Sequence, residues 1–123
     1  MYRTMDNVKS KIKKYQKAIA QYIQELAHDR NNSLGNDMTY QAIIDAQNNH
    51  FQLVRIGWHG QRFLYSVLIH LDINPETGNI WIQQNNTEIL LDAELAAYGV
   101  PKNHFVIGFR PASMRPYSDY AVA

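Results

Sequence analysis

Histidine and acidic side chains are the groups whose types and spacing in this chain could support chemistry. His70 and Asp72 lie two residues apart in a segment that alternates like a β-strand, so both side chains should point to one face. Such a pair could orient a ligand or hold a general base. A hydrogen-bonded couple on a half-buried sheet face is the simpler interpretation, and both interpretations stay open.

Other constellations that would support catalysis are missing from the sequence. None of the five histidines forms a His-x-x-x-His or similar ligand pair, and cysteine is absent. A nuclease would need clustered carboxylates with a nearby lysine, but no lysine occurs between Lys17 and Lys102. We therefore predict no catalytic residues, no cofactor and no metal site. The histidines are His28, His50, His59, His70 and His104.

Positive charge is concentrated near the start of the chain. Residues 1–26 hold six Lys and Arg residues against two acidic ones, although the net charge of the whole chain is only +1. A basic helix face could contact DNA phosphates without sequence preference. A solvated helix face is the simpler explanation, and the pI near 8.0 is low for a DNA-binding domain. The candidate contacts are Lys9, Lys13, Lys14 and Lys17.

Length and composition indicate a single domain. The 123 residues are 46% hydrophobic and 19% charged, values that are ordinary for a globular protein. We see neither a secretory signal nor an apolar run that could span a bilayer. We therefore predict one domain over residues 1–123, in the cytoplasm and without a membrane partner.

An apolar stripe with alternating spacings of four and three predicts an amphipathic helix from about Asp6 to His28. Asp6 would be its N-cap, and its length would be about 34 Å. Packing against the rest of the domain is the first interpretation of the stripe, and a short coiled coil with another chain is the alternative. Its members are Val8, Ile12, Tyr15, Ile19, Tyr22 and Leu26.

Four predicted strands follow, at residues 38–46, 50–58, 62–73 and 79–84, with turns short enough for an antiparallel meander. The third strand alternates regularly, which predicts that one face carries Phe63, Tyr65, Val67, Ile69, Leu71 and Ile73. Its other face would carry Leu64, Ser66 and Leu68. That face is too apolar for water and too polar for a deep core, so we predict a homodimer.

A second helix is predicted at residues 88–98, ended by Gly99 and Pro101. A fifth strand at 104–109 and an extended tail at 111–123 complete the chain. The predicted fold is a two-layer α+β domain of order α-β-β-β-β-α-β, with both helices packed on one face of a mainly antiparallel sheet. The second helix would bury Leu90, Leu91, Leu95 and Ala96.

Aromatic residues offer candidate contacts for partners. Trp58 lies near two arginines and could stack on bases, but packing or turn anchoring is the simpler role. If they are exposed, three further aromatic residues could anchor a protein interface. These are Trp81, Tyr117 and Tyr120.

In several short segments the chain resembles the XisI family, the fdxN element excision controlling factors of cyanobacteria. The resemblance spans roughly residues 6–122, and residues 1–5 would be an extension before it. Its segments keep their order and spacing along the chain. They are Gly57-Trp58-His59-Gly60-Gln61-Arg62, His70-Leu71-Asp72-Ile73, Ile80-Trp81-Ile82-Gln83, Thr87-Glu88, Gly99-Val100-Pro101-Lys102 and Arg115-Pro116-Tyr117-Ser118-Asp119-Tyr120-Ala121-Val122.

The resemblance implies a non-enzymatic regulatory factor in the programmed excision of a DNA element during heterocyst differentiation. A separate recombinase would exchange the strands, and this chain would act with a XisH-type protein partner. The resemblance transfers no catalytic residues. Two alternatives stay open: a non-specific DNA-binding accessory protein that uses the basic helix, and a small enzyme or nuclease-associated subunit that uses His70 and Asp72.

Overall fold

A long helix begins the described chain and determines how the rest packs. The computed structural model describes residues 2–33 and 37–123, so part of the polar connector after the first helix, residues 34–36, lies outside the described residues. Helix α1 spans Tyr2–Asn31, 30 residues or about 45 Å. The prediction that Asp6 caps this helix is wrong, because the residues before Asp6 are already helical.

The described strands form one sheet in the order β1-β2-β3-β4-β5. Neighbouring strands are antiparallel except β4 and β5, which are parallel because a helical crossover connects them. The predicted α+β class, element order and mainly antiparallel sheet are confirmed. The strands are β1 Thr39–Asp45, β2 His50–His59, β3 Arg62–Ile73, β4 Ile80–Asn85 and β5 Phe105–Ile107, and the crossover helix is α2 Leu91–Ala96.

The core lies between α1 and one face of the sheet. Tyr15, Ile19 and Tyr22 of the predicted stripe are buried, with Ile12 and Leu26 half-buried at its ends. The middle of β2 and β3 faces them, and Phe51 and Ile69 are fully buried there. Each such side chain contributes about 1.5–3 kcal/mol by leaving water, so this interface is the main source of stability.

One extra residue in β3, Leu68, changes which side chains share a face. Leu53 pairs with Ile69, but the next residue of β2, Val54, pairs with Val67, so Leu68 forms a β-bulge. The prediction that Phe63 to Ile73 keep one alternating face is therefore wrong. Ile69, Leu71 and Ile73 are buried under α1, whereas Phe63 and Tyr65 are exposed on the opposite face.

Because of the bulge, the mixed face predicted for β3, with Leu64, Ser66 and Leu68 side by side, does not form. Leu68 is only 8% exposed and belongs to the core, so it does not face the solvent as predicted. In the register before the bulge, Leu64 and Ser66 pair with Gly57 and Arg55 and lie on the helix side. The outer face of the sheet, defined as the face opposite α1, therefore has a different composition from the one predicted.

Helix α2 is shorter than predicted and lies on the same side of the sheet as α1. Leu91 and Leu95 join the core as expected, but Leu90 is 71% exposed and Ala96 is also exposed, so their predicted burial is wrong. Leu90 precedes the helix in an extended conformation, so it is not part of the helical face that packs on the core. Gly99 follows α2 with a φ of 81°, the left-handed conformation expected where a helix stops.

The tail, residues 111–123, is not simply extended, because a 3-10 helix spans Ala112–Tyr117. After it, the Ala121 amide donates to the Phe105 carbonyl at 2.8 Å, and the Asn79 side chain donates to the Ala123 carbonyl at 2.6 Å. These bonds hold the tail along the β5 edge of the sheet. No helix in the described ranges 2–33 and 37–123 is long and apolar enough to cross a bilayer.

Candidate functional site

A polar cluster on the outer face joins three side chains from two strands. His50 on β2 and His70 on β3 both lie against one carboxylate oxygen of Asp72. His50 Nδ1 is 2.8 Å from Asp72 Oδ1, and His70 Nε2 is 2.9 Å from the same oxygen. The predicted hydrogen-bonded couple of His70 and Asp72 is present, and His50 extends it to a group of three.

The position of His50 depends on the bulge. The β2–β3 hairpin closes with His59 opposite Arg62, and a regular ladder from there would pair His50 with Leu71 and would place Asp72 on the opposite face of the sheet from His50. Leu68 shifts the register by one residue, so that His50 faces Asp72 instead. Ligand spacing along the sequence could not reveal this cross-strand partner, because the bulge gives no clear signal in an apolar strand.

Two glutamines surround the cluster and orient it. Gln52 Nε2 lies 3.3 Å from His70 Nδ1, and Gln83 Nε2 donates to the second oxygen of Asp72 at 3.1 Å. Gln52 is the cross-strand neighbour of His70, whereas Gln83 is the extra residue at an irregularity between β3 and β4. Gln52 thus contacts the second ring nitrogen of His70, and Gln83 contacts the carboxylate oxygen of Asp72 that the histidines leave free.

The electrostatics favour charge at this site. Burial raises the pKa of Asp72, but hydrogen bonds from His50, His70 and Gln83 outweigh it, and the net pKa is lowered. The hydrogen bond to Asp72 raises the pKa of His50 against a weaker effect of burial, with help from the negative charges of Asp72 and Asp45. The cluster therefore favours the anionic form of Asp72 and the protonated form of His50.

The cluster is open to ligands on two sides. A cleft of about 510 Å³ lies between His50, Asp72 and the turn at Asn74 and Pro75. A second cleft, of about 380 Å³, lies toward β1 and is lined by Ile43 and Asp45 as well as by both histidines. The side chain of His50 is 58% exposed and that of Asp72 is 24% exposed. Small molecules, ions or a partner's side chain can therefore reach the polar atoms.

The outer face also carries large apolar side chains that contact solvent, most of them toward the β2–β3 hairpin at the other end from the cluster. Trp58 and Phe63 pair across β2 and β3 with their ring centroids 5.1 Å apart, yet both are at least half exposed. The expectation that Trp58 serves only packing or turn anchoring is therefore incomplete. We call the following group the outer-face patch: Ile43, Trp58, Phe63 and Tyr65, with exposures of 48%, 59%, 50% and 64%.

The predicted nucleic-acid lysines are only partly free. Lys9, Lys13 and Lys17 are exposed on α1, whereas Lys14 Nζ donates to the Gly99 carbonyl at 3.2 Å. Lys11, which counted toward the basic segment, is half-buried and is bonded to the turn between β3 and β4. The structure thus leaves a narrow basic row on the helix rather than a broad basic surface.

The three predicted interface aromatics differ in exposure. Tyr117 is 83% exposed and meets the condition set for an anchor. Trp81 is half-buried, with the Arg115 guanidinium 4.7 Å from its ring centroid. Tyr120 packs against the core, and its hydroxyl donates to Asp92 at 3.3 Å. Trp81 and Tyr120 therefore already contribute to holding the tail.

Comparisons with known proteins agree on one family. The sequence profile of that family, described as XisI protein, matches residues 6–122. The chain is similar to the crystal structure of a XisI-like protein from Anabaena variabilis, with a TM-score of 0.78 and 35% identity over 91% of this chain and 99% of that chain. It is also similar to fdxN element excision controlling factor XisI from the same organism, with a TM-score of 0.72 and 27% identity over 92% and 99%. No curated protein matches its sequence.

Proposed function

Because the chain belongs to the XisI family, we propose that it is a regulatory factor that controls the excision of a DNA element without catalysing it. In this proposal it acts by binding a XisH-type protein, while a separate recombinase exchanges the DNA strands. One of its structural relatives is an fdxN element excision controlling factor, which supports the regulatory role. The resemblance to the family supplies the type of partner.

The outer-face patch is the observation that carries the proposal. Exposed apolar side chains scattered singly over a protein need no explanation, but a contiguous group on one sheet face marks an interaction surface. Trp58, Phe63 and Tyr65 lie on adjacent strands and share that face. Aromatic residues of this kind are the usual anchors of protein interfaces. A partner that covered them would remove a large unfavourable contact with water.

Acidic side chains at the Ile43 end of the patch favour a protein over DNA as its occupant. Asp45 shares a cleft with Ile43 of the patch, and Asp72 lies on the same face two strands away. These carboxylates would repel a phosphate backbone, whereas a protein can supply matching cations at its rim. The basic row of α1 lies on the other side of the sheet. The patch and the basic row are thus separate surfaces.

Co-expression of this chain with a XisH-type protein, followed by size-exclusion chromatography with light scattering, tests the proposal. The two proteins should elute together at the mass of a complex. Separate elution would contradict the partner role. Metal-dependent turnover by this chain, lost in His70→Ala or Asp72→Ala, would favour an enzyme instead.

Direct DNA binding is a second candidate, favoured by the exposed row of Lys9, Lys13 and Lys17. If this function is real, the chain is retained on duplex DNA at low salt and released steeply as salt increases. Replacing Lys9, Lys13, Lys14 and Lys17 by Gln should abolish that retention for every duplex sequence. Unchanged retention, or none by the starting protein, would refute DNA binding through α1.

A further inference from the structure

We propose that His50, His70 and Asp72 bind one divalent transition-metal ion, with Zn²⁺ as its representative. One ligand atom from each residue lies within 4.8 Å of the other two. The strands that hold them are hydrogen-bonded neighbours, so the backbone fixes the positions of all three. The metal site does not depend on the proposed protein partner.

The geometry needs only side-chain adjustment. Zinc binds imidazole and carboxylate ligands at about 2.0–2.1 Å, which places neighbouring ligand atoms about 3.3 Å apart in a tetrahedron. In the structure His50 Nδ1 and His70 Nε2 lie 2.8 and 2.9 Å from Asp72 Oδ1, which are hydrogen-bond distances. An ion that replaced those hydrogens would move each nitrogen about half an ångström farther from Oδ1, and the two nitrogens already lie within 4.8 Å of each other. Small rotations of partly exposed side chains can supply that shift.

The ligand types determine the class of ion. Two imidazoles and one carboxylate suit zinc and neighbouring transition metals, whereas Mg²⁺ and Ca²⁺ prefer a shell made of oxygen atoms. Three protein ligands leave at least one coordination position open. The two clefts beside the cluster give water, or a donor atom from another molecule, access to that position.

The surrounding glutamines fit such a site. A histidine that binds metal through one ring nitrogen donates its other N–H to a fixed acceptor. Gln52 already lies 3.3 Å from His70 Nδ1, and turning its amide would present the oxygen that accepts this proton. Gln83 holds the second oxygen of Asp72, which leaves Oδ1 directed at both histidines. Both outer contacts therefore hold the ligand atoms in a converging arrangement.

The test is a titration of the full chain with Zn²⁺ by isothermal calorimetry and with Co²⁺ by visible absorption. We expect one ion per chain and the d–d bands of low-coordinate Co²⁺. His50→Ala, His70→Ala and Asp72→Asn should each weaken binding by more than about 100-fold, and Gln52→Leu by about 10–100-fold. Lowering the pH should also weaken binding, because protons compete for the imidazoles.

His59→Ala is the matched control, since His59 is exposed at the far end of β2 and lies outside the cluster. This variant should bind like the starting protein. Circular dichroism of each variant verifies that the fold is retained, and Asp72→Asn preserves side-chain size for this purpose. Absence of binding up to about 1 mM ion would overturn the proposal. Equal binding by the folded His70→Ala and starting proteins would do the same.

Discussion

Lys11 and Lys13 lie on the same helix but in different surroundings. Lys11 Nζ donates to the Thr77 carbonyl at 3.0 Å and to Asn79 Oδ1 at 2.8 Å, which ties α1 to the turn between β3 and β4. Burial lowers the pKa of Lys11, whereas Lys13 is exposed. The charges of α1 therefore divide into one that stabilises the fold and others that remain at the surface.

Lys11→Met should lower the free energy of unfolding by about 1–2 kcal/mol, because it removes two hydrogen bonds made by a charged group. Lys13→Met should change it by less than about 0.5 kcal/mol, as is usual for surface positions. Urea unfolding of both variants measures the difference. Equal effects would show that Lys11 does not anchor the helix.

His104 makes stability depend on pH. Burial lowers its pKa, and the positive charges of Lys11 and Lys14 add to this effect. The pKa in the folded chain is therefore below the value of about 6.5 expected after unfolding. As the pH falls through that window, the unfolded chain binds a proton that the folded chain excludes, so stability decreases.

Urea unfolding above and below pH 6.5 should show this loss on acidification, and His104→Gln should reduce it. The glutamine cannot titrate but can still hydrogen-bond Tyr15, whose hydroxyl lies 2.5 Å from His104 Nδ1. A pH dependence that is identical in the variant and the starting protein would show that His104 makes no contribution.

At the residue scale, side-chain contacts within one strand can be predicted from the sequence better than contacts between strands. His70 and Asp72 could be placed together because their separation of two residues determines a common face. His50 could not be added to them, because its position depends on a bulge in a strand whose residues around Leu68 are all apolar or small. The exposure of Trp58 could not be predicted from the sequence either, since large aromatic side chains usually pack inside the protein.

At the element scale, the end of α2 depends on Gly99. Its φ of 81° is accessible to glycine but costs a residue with a side chain about 1 kcal/mol. A Cβ at this position would also approach Lys14 Nζ to 2.9 Å, although that flexible group can move. The end of α2 could be predicted from the sequence, because a glycine with a proline two residues later is typical of the end of a helix.

Gly99→Ala should therefore lower the free energy of unfolding by about 1 kcal/mol. Gly60→Ala is a useful comparison: its φ is 63°, with nothing within 4 Å of an added Cβ, so the cost should be similar. Chemical denaturation of the two variants provides the measurement. A neutral Gly99→Ala variant would indicate that α2 ends by another mechanism.

Boundaries and faces were harder to predict than the elements themselves. The α1 stripe identified the packed side correctly, because six apolar residues at helical spacing have one common surface. The start of α1 and the length of α2 were missed, since propensity changes little across helix ends. In β3, one inserted residue reversed the alternation beyond it, so a regular pattern gave the wrong face for Phe63 and Tyr65.

At the scale of the whole molecule, the order of helices and strands could be predicted because short turns leave an antiparallel meander few alternatives. The covering of one sheet face by both helices also followed from their apolar stripes. The side chains that lie on the other face could not be predicted, because the register of β3 depends on the bulge. The outer-face patch emerged only from the register of β2 and β3.

A homodimer remains a prediction from the sequence, although one of its reasons is lost because Leu68 is buried in the core. Light scattering of the free chain should give twice the monomer mass of 14.3 kDa at high concentration. A monomer mass at every concentration would remove the homodimer.

The affinity for a XisH-type partner is the measurement that tests the central claim most directly. Isothermal calorimetry should show that Trp58→Ala and Phe63→Ala each weaken binding by about 30-fold, the effect expected of aromatic anchors. Leu90→Ala, which truncates an exposed apolar side chain outside the outer-face patch, should bind like the starting protein. Unchanged affinity in both aromatic variants, or no measurable complex with the starting protein, would contradict a regulatory role exerted through this face.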